Sequence, residues 1–386
     1  MTKNIYLNQA QLNAEINRCL NCKTKPCMKA CPVGCSPHDF IQMVKNGDYE
    51  GAAASIVNAN PMGQSCGLIC PDKFCMNACT RSHLDFPINI PKIQASILKH
   101  GYPSSTSDIK FNGHRIAVVG AGPAGIGAAA YLGKNGFAVV IFEASDRVGG
   151  ALNLIPQFRL PHEVIRADWE FVAQNSLIEL RLNHVVENYT SLLKQGFDAV
   201  IVACGEPNVI DLGIEGEDCA VSYLEYLRSP KDFVTDGNVA IIGGGAVAVD
   251  CALTARKNGA QNVEMFVRRK IGDMRITAEE RMSLLENDID LTTMTSVKQI
   301  HVDEGLLTLD TCKNHFVDGK LQPISGTLIE RPHFNLVIKA IGSSAPRYED
   351  SEKIFFAGDC KTGGSTLVEA IASGQAAAIK IIDISL

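Results

Sequence analysis

The chain has 386 residues, 46% of them hydrophobic and 20% charged, which allows two or three domains with ordinary buried cores. Its net charge of −6 argues against a general nucleic-acid surface, and residues 1–18 carry no apolar run of the signal-peptide type. The apolar stretch 116–133 is too rich in glycine for a membrane span. We therefore expect a cytoplasmic protein that binds neither nucleic acid nor membrane.

Cysteine is concentrated at the start of the chain, where nine of the 14 cysteines precede residue 80. A secreted disulfide scaffold would be small and loop-rich, so this cluster indicates metal binding instead. Two runs of four have the spacing of iron–sulfur ligands, and the first ends in a ferredoxin-like Cys-Pro. The members are Cys19, Cys22, Cys27 and Cys31, then Cys66, Cys70, Cys75 and Cys79. Two 4Fe–4S clusters are predicted, with structural zinc as the alternative.

The remaining cysteines are interpreted as packing residues. Cys35 is interpreted as a spare buried thiol. Five later cysteines are scattered and are interpreted as core or surface residues. These are Cys204, Cys219, Cys251, Cys312 and Cys360. Because no Cys-x2-Cys lies near either nucleotide motif described below, a dithiol reductase is not expected.

Residues 1–108 are expected to form a helical domain, with one helix over Asp39–Asn46 and a linker at His100–Asp108, where Ser, Pro and Gly cluster. A strand at Arg115–Val119 then leads directly into G-x-G-x-x-G, formed by Gly120, Gly122 and Gly125. A following strand, Ala138–Phe142, ends at Glu143, whose carboxylate suits a ribose diol. This is the fingerprint of a dinucleotide site at a helix N-terminus.

A second such unit begins with the strand Asn238–Ile242 and carries Gly243, Gly245 and Ala248. Its next strand, Val263–Val267, leads into Arg268, Arg269 and Lys270 in place of an acid. A guanidinium there suits a 2′-phosphate, which predicts NADPH, and Arg275 could add a second phosphate contact. A solvated basic turn is the alternative.

The C-terminal strand Ile354–Gly358 ends in Asp359 and precedes a helix over Leu367–Ile382. This arrangement resembles the FAD domain of glutathione-reductase-type flavoproteins. The predicted fold is α/β, with a helical iron–sulfur domain followed by two Rossmann-like domains and the NADPH domain inserted in the FAD domain. The boundaries are 1–108, then 109–205 with 343–386 for FAD, and 206–342 for NAD(P)H. Strands at Asp198–Cys204 and Asn335–Ile341 fit the two crossovers.

Three further stretches give a family resemblance: INIPKIQ at 88–94, LIPQFRLP at 154–161 and FVRRKIGDMR at 266–275. With the motifs above, they resemble the N-terminal half of dihydropyrimidine dehydrogenase and the flavin/iron–sulfur subunit of the bacterial enzyme. The resemblance implies one cluster on Cys19, Cys22, Cys27 and Cys79. It implies a second on Cys31, Cys70, Cys75 and Gln94, with Cys66 not a ligand.

The same resemblance implies the nucleotide contacts. For FAD they are Gly120, Ala121, Gly122, Pro123, Ala124, Glu143, Gly149, Gly150, Ala151, Arg159, Val185, Gly358, Asp359, Ser365, Thr366 and Leu367. For NADPH they are Gly244, Gly245, Ala246, Val247, Arg268, Arg269, Arg275, Ala340, Ile341 and Gly342. Hydride transfer needs stacked rings rather than a protein acid or base, so no catalytic residue is predicted.

The expected function is oxidation of NADPH and delivery of electrons, through FAD and two 4Fe–4S clusters, to a separate FMN/iron–sulfur reductase subunit. By the same resemblance, we expect no FMN barrel of the kind that reduces a pyrimidine within this chain. One alternative is a subunit similar to the small subunit of glutamate synthase, which Gln94 and IPQFRLP disfavour. The other is a non-catalytic nucleotide-binding protein stapled by zinc.

Overall fold

The structure, a computed structural model, describes residues 5–104, 109–206, 208–346 and 348–384. The chain forms two compact units. One comprises residues 1–153, 157–207 and 344–386, and the other comprises 154–156 and 208–343. The cysteine-rich helical segment and the first glycine motif therefore belong to the same unit.

Six helices form the N-terminal segment of the first unit. They are α1 (Gln9–Asn17), α2 (Pro26–Lys29), α3 (Pro37–Lys45), α4 (Tyr49–Ala59), α5 (Gly63–Ile69) and α6 (Ile90–His100). Their apolar faces meet in one core that includes Leu12, Phe40, Ile56 and Ile93. Helix α3 begins two residues before the predicted 39–46 helix, because Pro37 has a backbone already suited to the first helical turn. The predicted linker starts at the last residue of α6, and its residues 105–108 lie outside the described residues.

The first Rossmann-like domain begins after this segment. Its elements are β1 (Arg115–Val119), α7 (Pro123–Lys134), β2 (Ala138–Phe142), α8 (His162–Val172), β3 (Ile178–Arg181), α9 (Thr190–Leu193) and β4 (Ala199–Val202). The strands pair in parallel, with Arg115 opposite Ala138 and Val119 opposite Phe142. Strands β1 and β4 are almost wholly buried, as expected for a parallel sheet covered on both faces.

The second unit follows. Its elements are β5 (Asn208–Val209), β6 (Val221–Ser222), α10 (Tyr223–Arg228), β7 (Asn238–Ile242), α11 (Ala246–Lys257), β8 (Asn262–Val267), α12 (Ala278–Glu286), β9 (Ile289–Thr293), β10 (Thr295–Asp303), β11 (Leu306–Val317), β12 (Lys320–Pro323), β13 (Ile329–Phe334) and β14 (Leu336–Lys339). A parallel sheet has the order β6-β14-β7-β8-β9. Strands β10–β13 form a separate antiparallel sheet that the sequence analysis did not predict.

The chain returns to the first unit through β15 (Ser343–Ser344), β16 (Ile354–Phe356), α13 (Asp359–Thr362) and α14 (Leu367–Asp383). Strand β16 pairs with β4, which completes a parallel sheet of order β16-β4-β1-β2-β3. The fold is therefore α/β, with a helical domain followed by two Rossmann-like domains, the second inserted into the first. No helix in the described ranges is long and apolar enough to cross a membrane.

Candidate functional site

The first glycine motif lies at the carboxyl end of β1. Gly120 has a φ of +105°, and a Cβ at this residue would lie 2.4 Å from the carbonyl oxygen of Ala203, just after β4. A Cβ at Gly125 would lie 1.9 Å from the carbonyl oxygen of Gly120. Both positions therefore require glycine. The tight turn brings Gly122 to the N-cap of α7, where Pro123 is the first helical residue.

Glu143 connects the glycine turn to the next strand. One of its oxygens accepts a hydrogen bond from the backbone N–H of Ala121 at 2.7 Å. The other accepts from the backbone N–H and hydroxyl of Ser145, at 2.8 and 2.7 Å. Val185, with 67% of its surface exposed, lies one residue beyond His184, whose N–H donates to the Glu143 carbonyl. A carboxylate at the end of this strand suits a ribose diol.

A second pair of glycines faces this turn. The N–H of Gly149 donates to the Ala121 carbonyl at 2.8 Å, and a Cβ at Gly150 would lie 3.0 Å from the Cα of Gly122. Because neither wall has a side chain here, backbone can approach a bound pyrophosphate closely. Ala151 is exposed and Arg159 is half-buried with a protein partner.

The C-terminal segment forms the opposite side of the same site. Gly358 has a φ of +72°, and a Cβ at this residue would lie 2.8 Å from the Ala124 side chain. The Asp359 carboxylate accepts from the backbone N–H of Ser365 at 3.2 Å, and burial raises the pKa of Asp359. Thr366 caps α14, which starts at Leu367. The structure thus brings the predicted segments 120–124 and 358–367 together, and their glycine-lined cradle fits FAD.

The second glycine motif repeats this design. Gly243 has a φ of +149°, and a Cβ at this residue would lie 2.2 Å from the carbonyl oxygen of Ala340, just after β14. A Cβ on Gly244 would lie 2.6 Å from Val267. Ala248 stands where the first motif has its third glycine, Gly125, and it is fully buried. Space around Gly245 is open at the start of α11, beside the partly exposed Val247.

Three arginines lie near this second motif. Arg268 and Arg269 follow β8, and their carbonyl groups accept hydrogen bonds from the Asn314 side chain at 3.2 Å and the Met294 N–H at 3.1 Å. Arg275 pairs with Gly245 through a backbone bridge. All three side chains are exposed, and none forms an ion pair with a carboxylate in the parts of the chain described. The arrangement leaves these cations available to an anionic ligand.

One cysteine group lies in the helical segment. Cys19, Cys22, Cys27 and Cys79 line a single cavity between α2, α3 and the start of α6. Burial raises the pKa of Cys27 to about 11, and the nearby Cys19 and Cys79 raise it further. The cavity holds the four thiols that the family resemblance assigns to one cluster. Four cysteine thiols around one cavity are a donor set that fits a 4Fe–4S cluster.

The second group contains more thiols than the predicted set. Cys35 lies close enough to Cys31 to lower the pKa of the Cys31 thiol to about 7, and Cys66 lies close enough to Cys70 to raise the pKa of the Cys70 thiol. Cys75 lies near enough to Cys31 and Cys66 for electrostatic repulsion to raise its pKa, in addition to burial. The side-chain amide of Gln94 donates to the Gly63 carbonyl at 2.6 Å in the first turn of α5. In the described ranges, no three His, Cys, Asp or Glu side chains are arranged to hold a single metal ion.

A carboxylate from the Rossmann-like domain caps the helix that leads into this second group. Asp168, on α8, is fully buried and accepts hydrogen bonds from the N–H groups of Gln64 and Ser65 at 3.1 and 2.8 Å. The Tyr102 hydroxyl donates to the same carboxylate at 2.7 Å. Burial raises the pKa of Asp168 to about 6, and its hydrogen bonds partly offset this shift. Asp168 thus satisfies the N-terminus of α5, whose C-cap is Cys70.

Comparison with known proteins gives matches across the chain. Residues 2–104 match the model of dihydropyrimidine dehydrogenase domain II, 4Fe–4S cluster, and residues 114–345 match that of pyridine nucleotide-disulphide oxidoreductase. The NAD-dependent dihydropyrimidine dehydrogenase subunit PreT of Escherichia coli K12 is 30% identical over 94% of this chain and 92% of that protein. The small chain of glutamate synthase [NADPH] from the same organism is 25% identical over 97% and 92%. Mycobacterium tuberculosis FprA, solved with NADPH, has a TM-score of 0.62 at 18% identity, over 70% of this chain and 84% of that chain.

The fold, the glycine-motif sites and the matched 4Fe–4S domain define an NAD(P)H-dependent electron-transfer flavoprotein oxidoreductase. The N-terminal segment is therefore interpreted as a 4Fe–4S cluster domain rather than a structural zinc site. Within it, the chain belongs to the family that contains the dihydropyrimidine dehydrogenase subunit PreT and the glutamate synthase small chain.

Sequence reasoning missed Asp168 and Tyr102, which join the helical segment to the Rossmann-like domain. The sequence carried one signal for Asp168. On α8 it shares the buried face of Val164, Ile165 and Val172, where an acid must find hydrogen-bond donors. The identity of those donors, about 65 and 100 residues earlier, is not visible in any local pattern.

Proposed function

We propose that the chain oxidises NADPH and delivers electrons, through FAD and two 4Fe–4S clusters, to a separate FMN-containing subunit of the dihydropyrimidine dehydrogenase type. One observation carries this proposal: both cysteine groups belong to the same compact unit as the FAD cradle, and Asp168 joins the two parts. The relative PreT is named as a subunit, which supports a separate partner.

Bound FAD would accept two electrons together and release them singly, which suits one-electron clusters. The protein's own contribution is positioning. Gly122 and Gly150 leave backbone open to the pyrophosphate, and Glu143 orients the turn around it. Capping by Asp168 fixes the start of α5 and thereby the backbone that leads to Cys70.

The cluster assignment predicts a graded effect of substitution. Cys70→Ala should remove the iron of one cluster, roughly half of the total. Gln94→Ala should perturb the same cluster less severely, although it also removes the hydrogen bond to the Gly63 carbonyl of α5. Iron and acid-labile sulfide per chain, measured after anaerobic purification, test this. Cys66→Ala is the matched control, because it removes a neighbouring thiol that is not assigned as a ligand. A full complement of iron in Cys70→Ala would overturn the assignment.

The nucleotide preference should be for NADPH over NADH. Arg268 and Arg269 have no carboxylate partner among the described residues. A charged hydrogen bond to the 2′-phosphate contributes roughly 1.5–3 kcal/mol, or about 10- to 150-fold in kcat/KM. The double change Arg268→Ala, Arg269→Ala should erase most of that preference while leaving kcat/KM for NADH nearly unchanged.

The test of this preference is the ratio of kcat/KM values with an artificial electron acceptor. Lys257→Ala, which removes a cation at the far end of α11, is the matched control for a general loss of positive charge. One relative is named for NAD and another for NADPH, so the names do not indicate which nucleotide is preferred. The expected preference for NADPH is based on Arg268 and Arg269. Equal wild-type values for the two nucleotides would refute the assignment.

The purified chain should reduce artificial dyes with NADPH and be inert toward uracil and thymine. The two nucleotide sites and the cysteine groups account for the motifs described, and no second flavin site is assigned. Anaerobic co-purification from the native host, followed by assay of pyrimidine reduction with and without the captured partner, tests the proposal. Turnover of uracil by the chain alone would show that a substrate site is present on it.

A glutamate-synthase-type partner is the second candidate, because the small chain of that enzyme aligns with 97% of this chain at 25% identity. The same co-purification separates the two candidates. An FMN-containing pyrimidine reductase supports the first proposal, and a glutamine-dependent amidotransferase supports the second.

A further inference from the structure

Two cysteines outside the cluster segment meet at the edge of the FAD cradle. Cys204 lies two residues after β4, and Cys360 lies on α13, four residues after β16. These strands are paired in parallel, with Phe356 opposite Val202, so the two cysteines emerge side by side at the same end of the sheet. The Cys360 sulfur lies 3.4 Å from the carbonyl oxygen of Val202, two residues before Cys204, and the two thiols are close enough for each to shift the pKa of the other.

The two thiols have unlike environments. Cys204 is exposed, and the Tyr189 hydroxyl donates to its sulfur at 3.9 Å. Cys360 is 2% exposed, and its sulfur lies 3.1 Å from the Ala357 carbonyl oxygen and 3.4 Å from that of Val202. Burial and the neighbouring Cys204 favour the protonated form of Cys360.

The two environments lower the pKa of Cys204 and raise the pKa of Cys360. Hydrogen bonding from Cys360, with help from Tyr189, lowers the pKa of Cys204 to about 6. The pKa of Cys360 is raised, first by the Cys204 partner and then by burial. Cys204 is therefore the exposed and more readily ionised thiol of the two, and a thiolate is the form that attacks oxidants and disulfides.

We propose that Cys204 and Cys360 form a peroxide-reactive dithiol that closes reversibly to a disulfide at the rim of the FAD cradle. The oxidant class is a hydroperoxide, and the reductant that reopens the bond is a dithiol. The proposal does not depend on the identity of the electron acceptor.

The chemistry balances with these two residues. The Cys204 thiolate attacks one peroxide oxygen, the O–O bond breaks, and a sulfenic acid and hydroxide form. Cys360 then attacks the Cys204 sulfur, the S–O bond breaks, and the Cys360 proton leaves with the hydroxyl group as water. Closure of the disulfide brings the two sulfurs to about 2.05 Å. A dithiol reverses the step by two successive exchanges.

The bond would join two walls of the nucleotide site. Cys204 follows Ala203, whose carbonyl oxygen fills the space beside Gly120, and its own Cα lies 3.4 Å from the position a Cβ on Gly120 would take. Cys360 follows Asp359, which holds the turn at Ser365. The redox state of this pair is thus coupled by direct connection to the backbone that lines the FAD site.

The experiment uses the FAD- and cluster-containing protein, purified anaerobically and treated with one equivalent of hydrogen peroxide. After quenching, alkylation with N-ethylmaleimide in denaturant and peptide mass spectrometry identify the linked residues. We expect peptides carrying Cys204 and Cys360 to be joined, with the loss of two alkylatable thiols, and dithiothreitol to restore both. Visible absorbance reports cluster integrity independently.

Two variants make the test decisive. Cys360→Ser should leave the Cys204 sulfenic acid unresolved and available to dimedone, and Cys204→Ser should leave Cys360 fully alkylatable. Cys219→Ser, at a half-buried thiol in the other unit, should behave as wild type. Recovery of Cys204 and Cys360 as separate alkylated thiols in the treated wild type, or linkage of Cys204 to a different cysteine, would overturn the proposal.

Discussion

Gly125→Ala should yield a protein that retains little FAD. The added Cβ would lie 1.9 Å from the Gly120 carbonyl oxygen, and both atoms belong to the turn to which we assign the FAD pyrophosphate. Overpacking of this kind costs roughly 1–3 kcal/mol, which is about 5- to 150-fold in FAD affinity when the strain falls on the site. FAD per chain after gel filtration, and the Kd from flavin fluorescence on reconstitution, measure the effect.

The equivalent position of the other motif supplies the matched control. Ala248 is buried in α11 and already accommodates its methyl group. Ala248→Gly should cost up to about 1 kcal/mol in helix stability and leave FAD content unchanged. A Gly125→Ala protein with one tightly bound FAD per chain would contradict the role given to this glycine.

Asp168→Ala should strongly destabilise the first unit and loosen the second cysteine group. The change leaves the N–H groups of Gln64 and Ser65 and the Tyr102 hydroxyl without their acceptor. Each unsatisfied buried donor costs roughly 1–3 kcal/mol. A total of about 3 kcal/mol or more corresponds to a fall in Tm of roughly 6–12 °C. Thermal unfolding followed by circular dichroism, together with iron content, measures both effects.

Glu170→Ala is the control on the same helix. Glu170 pairs with Arg166 at 3.4 Å, and both side chains are largely exposed. Such surface pairs contribute about 0–1 kcal/mol. A comparable loss of stability in both variants would show that the buried hydrogen bonds of Asp168 contribute no more than an exposed ion pair.

The raised pKa of Asp168 gives this prediction a pH dependence of definite sign. The folded-state pKa of about 6 lies above the value of about 3.9 expected in the unfolded chain. The fold therefore favours the protonated form, and the contribution to the unfolding free energy is greatest below about pH 4 and is lost as pH rises through 6. The difference between wild type and Asp168→Asn should accordingly fall from about pH 4 to 6.5 and then level off.

The sequence predicted the parallel strands well because they are short, apolar and followed by glycine. The strands Arg115–Val119, Ala138–Phe142 and Asn238–Ile242 have the predicted bounds. At the crossovers the predicted strand Asp198–Cys204 proved longer than the observed Ala199–Val202, since its last residues turn away beside Gly120.

The antiparallel sheet escaped prediction for a physical reason. Strand β11 buries Thr308, Thr311 and Asn314 along with its apolar residues, so its pattern lacks a clean alternation of apolar and polar side chains. Irregularities in register at Val297–Gln299 and Leu307–Leu309 shift the period further. The two-residue period is therefore interrupted within β10 and β11.

The site was predictable where a motif is local and not where it is assembled from distant segments. The glycine turns and the acid at Glu143 lie within one strand–turn–helix–strand unit, which fixes their geometry. Cys204 and Cys360 are brought together only by the pairing of β4 with β16, and neither residue is distinctive by itself. Interpreting each as an isolated packing residue was reasonable from the sequence, but it left their proximity undetected.

The buried cap at Asp168 also bears on how electron transfer within the chain is organised. Because α8 and α5 share this carboxylate, the flavin cradle and the cysteine groups are held at a fixed separation within one compact unit. Transfer between them needs no encounter between independently diffusing bodies. Its rate is then set by tunnelling distance and by how little the surroundings must rearrange, and it is first-order at any protein concentration.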